Sequence, residues 1–163
     1  MRLRACKTVF DPFDYGRATS KPPHNPAMNT ERVEPAERFQ QRRTDFQKAV
    51  TRLKEACAQP ESSFLRDSVI QRFEFSWELA WKMLKLRLGF LGVEALSPRD
   101  VIRQSLQAGL IQDGNVWTEA QLHRNMTSPT HDEALAITVY GFVRGQGVGM
   151  LRGLADAAGS WHE

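Results

Sequence analysis

From Arg66 to Leu88 the chain reads RDSVIQRFEFSWELAWKMLKLRL, without one Gly or Pro to interrupt it. Its apolar residues Ile70, Phe73, Trp77, Ala80, Trp81, Leu84 and Leu88 recur in steps of three and four or close to them, which places them on one stripe of an α-helix. The spacing therefore predicts a core-facing helix of about six turns. Gln71, Arg72, Glu74, Glu78, Lys82 and Lys85 fall between those positions, and a solvated face is the ordinary reading of such charges. Glu78 and Lys82 form a favourably oriented i,i+4 pair. Glu74 and Glu78 are like charges four apart, a spacing that asks for a basic neighbour, and Arg66 and Arg72 are the candidates within the helix.

The other segments read as helices to pack against it. Glu34 to about Ala58 carries Phe39, Phe46, Val50, Leu53 and Cys57 on one side, with Pro35 suited to a first turn. A short break at Gln59 to Ser63 predicts antiparallel neighbours, and Ser62 or Ser63 can cap the central helix. After GFLGVEAL, Ser97 is a good N-cap with Pro98 at the first helical position, and Val101, Ile102 and Leu106 point inward. Gly109 stops that helix. A fourth helix is expected from Thr118, boxed with Gln121, and Pro129 interrupts it before Thr130 and Glu133 open the last one. That last helix holds Leu135, Val139, Phe142 and Met150.

In it, Gly141, Gly145, Gly149 and Gly153 recur at four-residue steps, with Gly147 between. No strand precedes them and no lysine follows in place, so they make a poor phosphate loop. Each glycine costs roughly 1 kcal/mol against alanine inside a helix. They predict either a smooth groove that another helix approaches, within the chain or across a dimer, or a break near Gly145. With no strand pattern anywhere, the fold class is all-α, an antiparallel up-and-down bundle of about five helices.

Composition narrows the function. A chain of 163 residues with 41% hydrophobic and 25% charged residues is the size and make-up of one globular domain. Its formal charge is only +3, from 22 Lys and Arg against 19 Asp and Glu, so any RNA contact has to be local. Cys6 and Cys57 match no metal spacing, and neither a secretory signal nor an apolar span of about 18 residues is present. The chain reads as cytoplasmic, with no membrane segment. Residues 1–30 mix Arg2, Arg4, Lys7 and Arg17 with Pro12, Pro22, Pro23 and Pro26, and are expected to be a mobile extension. Residues 31–158 form the expected bundle and 159–163 a tail. Translation starting at Met28 is an alternative origin for the extension, and Asp11 and Asp14 weaken a targeting reading.

Three pieces together resemble one family: RDSVIQRFEFSWELAWKMLK at 66–85, SPRDVIRQSLQAGLI at 97–111, and Trp117 followed by RNMTS and PTHDE up to 133. In order and spacing over residues 36–157 they are similar to the nucleotidyltransferase substrate-binding proteins, a branch of the HEPN superfamily. The resemblance implies a dimerising helical bundle encoded beside a minimal nucleotidyltransferase (MNT) as a toxin and antitoxin pair. The family's active signature is Arg, four residues, His, one residue, Tyr. Arg124 and Asn125 match its start, but Pro129 stands at the His position and His131 at the Tyr position. His131 satisfies a looser superfamily spacing of Arg, six residues, His.

The active version implies no metal or cofactor: a His moves a proton to or from the RNA 2′-hydroxyl or leaving oxygen while Arg stabilises charge on the phosphate. Two residues of displacement near a helix start turn a side chain by about 200°. The catalytic candidates are thus Arg124, His131 and Asn125, with Arg72, Glu74, Glu78, Ser128 and Asp132 as candidates for a binding mouth. The plain structural alternative pairs Arg124 with Asp132 or a helix C-terminus and leaves His131 an ordinary first-turn residue. The expected function is an interaction protein for an MNT-type nucleotidyltransferase, with nucleotide or RNA as further ligands and a degenerate motif. The alternative is a metal-independent endoribonuclease using Arg124 and His131. A ligand-free bundle is disfavoured by the polar Arg124-Asn125 pair beside Trp117.

Overall fold

The computed structural model describes residues 34–126 and 132–161, which form α1 (Pro35–Cys57), α2 (Ser63–Phe90), α3 (Pro98–Gln107), α4 (Gly114–Met126), α5 (Glu133–Phe142) and α6 (Val148–Gly159). A π-helical turn, Val143–Gly147, joins α5 to α6 with helical backbone angles on both sides, so the two run on as one rod. Five helical rods result, with no strand among the described residues, as the periodicity predicts. The extension at 1–30, the Met28 start and the pattern of Thr130 with Glu133 all involve residues outside those described.

Start signals in the sequence are used where they were local. Ser62 accepts the Leu65 N–H to cap α2, and Ser97 accepts the Asp100 N–H to cap α3, while the Asp100 carboxylate accepts the Leu96 N–H in return. α4 departs from expectation. It begins at Gly114 rather than Thr118, because Asp113 takes a left-handed φ of 52° and its carboxylate accepts the Val116 N–H. The Thr118 hydroxyl instead donates back to the Gly114 carbonyl inside the helix. At Gly114 an added Cβ would meet Leu106 Cδ2 at 2.7 Å, so a side chain there would make the exposed end of Leu106 swing aside. Leu106 spends its contact there and stays 44% exposed, whereas Ser105 takes the expected inward place beside Val101 and Ile102.

α2 is the hub. It buries Val69, Phe73, Ser76, Trp77, Leu79, Ala80, Met83, Leu84 and Leu88, a wider arc than one stripe, because helices cover it on several sides. Phe39 near the start of α1 meets Phe90 at the end of α2, with ring centroids 5.7 Å apart, so the two are antiparallel. The last rod is antiparallel to α1 as well. Gln47 Nε2 donates to the Ala155 carbonyl at 3.2 Å, and Arg43 Nη1 donates to the Ala158 and Trp161 carbonyls at 3.3 and 3.0 Å, closing the α6 C-terminus with a cation. α2 and α5 run the same way, tied by Arg66 to Glu133 and by Phe73 against Phe142. The short α3 and α4 carry the chain back between them.

The glycine pattern is not a break in the rod, and although Gly149 and Gly153 line an open groove of about 530 Å³ with Ile111 and Trp117, no helix among the described residues packs closely into it. Cβ atoms at Gly141, Gly145, Gly149 and Gly153 would meet nothing within 4 Å, while one at Gly147 would lie 3.2 Å from the Phe142 ring. Close approach within the chain thus belongs to Gly147 alone of this set, inside the π-turn.

Candidate functional site

Two of the sequence candidates, Arg124 and Glu78, meet where α4 passes over the middle of α2. Trp117 and Trp77 pack with centroids 5.4 Å apart and set the approach of the two helices. Two turns further along α4, the Arg124 guanidinium donates to Glu78 Oε1 at 2.7 Å. The other oxygen, Oε2, accepts from the Trp81 indole at 3.1 Å and lies 3.2 Å from Lys82 Nζ. One carboxylate therefore collects a guanidinium, an ammonium and an indole N–H. Burial pushes the Glu78 carboxyl up, but the Lys82 and Trp81 hydrogen bonds, with the Arg124 and Lys82 charges, hold it below the usual glutamate value. The cluster is half open to solvent, with the Arg124 side chain 40% exposed.

This geometry corrects the pairing expected within α2. Arg66 is engaged by Glu61 and Glu133, and Arg72 donates from Nε to the Ser68 hydroxyl, so the basic neighbours of Glu78 are Arg124 and Lys82. Arg72 sits on the face of α2 turned to α1, apart from the mouth. Glu74 is half-buried one turn before Glu78, and Asn125 is exposed next to Arg124. Asp132 is the N-cap of α5, its carboxylate accepting from Ala134 and Leu135 N–H, a role the sequence pattern gave to Thr130. Ser128, Pro129 and His131 lie outside the described residues.

Beneath Arg124, His123 is a residue the sequence reading passed over. It is only 7% exposed and stacks on Phe142 at 4.5 Å, with Nε2 3.6 Å from Glu119 and Nδ1 buried without a partner. The i,i+4 spacing to Glu119 was the one signal for it. Among the described residues no group of acidic, His or Cys side chains could hold a metal, and no helix is long and apolar enough to cross a membrane.

Fold and site together define an all-α helical bundle with a polar, ion-paired cluster at the junction of its central helix and a covering helix. The chain belongs to the family described as nucleotidyltransferase substrate binding protein like, whose sequence model matches residues 41–146. A Haemophilus influenzae protein described as a probable ribonuclease HepT is 35% identical over 89 residues, which cover 49% of this chain and 61% of that protein. The chain thus spans under two thirds of that relative's length. A crystal structure of a Thermus thermophilus protein shares the fold, with a TM-score of 0.64 and 29% identity over 69% of this chain and 98% of the other.

Proposed function

We propose that this chain is the interaction partner of a small MNT-type nucleotidyltransferase in a cytoplasmic toxin and antitoxin type pair, acting as a homodimer with its mouth at Arg124. The observation that carries the reading is the Arg124, Glu78 and Lys82 cluster. Two cations share one carboxylate, so this three-residue cluster carries one net positive charge and a guanidinium oriented from below, which suits a phosphate of a nucleotide or RNA. Pro129 in place of the family's His makes the catalytic motif degenerate. Co-expression with a nucleotidyltransferase encoded beside the gene tests it. A stable complex is expected to co-purify, and the chain alone to sediment as a dimer. No complex, or a monomer of 18.5 kDa at micromolar concentration, would overturn it.

The second reading, a metal-independent endoribonuclease, is favoured by the similarity to a probable ribonuclease. In it, Arg124 would stabilise charge on the phosphate, His131 would move the proton of the 2′-hydroxyl or leaving oxygen, and Asn125 would orient the substrate.

A further inference from the structure

The seam between α1 and α2, on the side away from α5, is a second charged surface. Its open groove, about 740 Å³, is lined by Arg42, Lys48, Arg52 and Arg72 against a single carboxylate, Asp45. No carboxylate among the described residues lies in salt-bridge reach of any of the four cations, whereas Arg66, Arg103 and Arg124 are each paired with one. Arg72 is held by Ser68 through Nε, which leaves its two terminal nitrogens presented outward. A molecule with a formal charge of only +3 has therefore gathered an equal excess along one groove.

The groove also exposes an aromatic ring. Phe75 lines it and is 59% exposed, and Phe64, on the same stripe of α2 about three turns earlier, is 86% exposed. Toward the other end of α1, Arg42 joins a second groove carrying Arg38, Lys85 and the half-buried Trp81. Cations in a row with aromatic faces between them are what single-stranded nucleic acid uses: guanidiniums for phosphates, rings for bases. A second copy of this face would set like charges opposite one another, and an acidic protein would have no use for the rings.

We propose that the α1–α2 seam is a binding site for single-stranded nucleic acid, with Arg42, Arg52 and Arg72 on phosphates and Phe75 stacked on a base. These four residues make no contact with Arg124 or Glu78, although the adjoining groove reaches Trp81 and Lys82 of that cluster, and the proposal does not rest on the function proposed for it. The strand that tests it is a labelled 2′-O-methyl oligonucleotide of about twelve nucleotides, within usual groove lengths. It has no 2′-hydroxyl through which to be cleaved, so fluorescence anisotropy on the full chain reads binding alone. Wild type should bind with an affinity that falls steeply with salt. The triple variant Arg42→Gln, Arg52→Gln, Arg72→Gln should lose at least about tenfold and flatten the salt slope by about 2. Phe75→Ala should lose about tenfold while Phe75→Tyr stays near wild type. All four residues are on the surface, and unchanged circular dichroism will separate binding from folding. Absence of wild-type binding, or a triple variant that binds like wild type, overturns the proposal. Full affinity in Phe75→Ala, with polyglutamate displacing the strand as well as unlabelled oligonucleotide does, overturns it in favour of an acidic protein partner.

Discussion

Arg124 and Glu78 meet at 2.7 Å across 46 positions of sequence, and this ion pair, with the Trp81 and Lys82 contacts, locks the end of α4 onto the centre of α2. Both partners are partly exposed, so their direct coupling should be about 0.5–1 kcal/mol. A double-mutant cycle with Arg124→Ala and Glu78→Gln in urea unfolding measures it. Glu78→Gln should cost more than Arg124→Ala, because it also weakens the Lys82 and Trp81 contacts. Strict additivity of the two changes would show that the pair contributes nothing.

Acid should loosen the bundle as its held-down carboxylates take up protons. Glu78 and Asp100 both have folded carboxyls held below their ordinary values, Asp100 mainly by the Arg103 hydrogen bond and the Leu96 N–H. A depressed carboxylate contributes stability that is present above its unfolded value and is lost as pH falls through the folded one. Stability should therefore be level near neutrality and fall from about pH 4.5 downward, given ordinary carboxyl values near 4. Glu78→Gln should flatten that fall in urea midpoints taken across pH, and an unchanged slope would count against the Glu78 assignment.

Catalysis, where present, turns on register. Ribonuclease activity of the wild type should be low, should survive a chelator, and should vanish in Arg124→Ala and His131→Ala. Pro129→His restores the family spacing and should raise the rate by on the order of a hundredfold. Strong wild-type cleavage that Pro129→His leaves unchanged and His131→Ala abolishes would make His131 the working residue.

Two glycines of the last rod should respond with opposite signs. Gly149→Ala meets open space and should stabilise by up to about 1 kcal/mol from helix propensity. Gly147→Ala would press a methyl against Phe142, which is itself held between His123 and Phe73 and has nowhere to move. That variant should lower the melting temperature despite its better propensity.

Helix existence and the caps at Ser62 and Ser97 were legible because their signals lie within a few residues of one another. The α4 start was not, since its cap depends on Asp113 adopting a backbone angle that favours glycine. Glu78 was readable as needing a cation, but its partner in α4 is set by the Trp77 and Trp117 packing, which no local pattern reveals. Arg42, Lys48 and Arg52 carry no local signal in the sequence, and only the pairing of α1 with α2 puts them in one groove with Arg72.

The π-turn gives the last rod a slack reading frame. Its buried positions Val139, Val143, Gly147 and Leu151 are four apart, and in a plain α-helix each such step overshoots by about 40°, leaving Leu151 about 120° away from Val139. The wide turn absorbs that error. Removing one residue from it would leave a separation of eleven between those two ends, which an α-helix returns to within about 20°. Deleting Gly145 should thus be accepted with α6 still seated on α1, whereas deleting Gln71 from the unbroken α2 should unfold the protein. Circular dichroism melts of the two deletions would tell them apart.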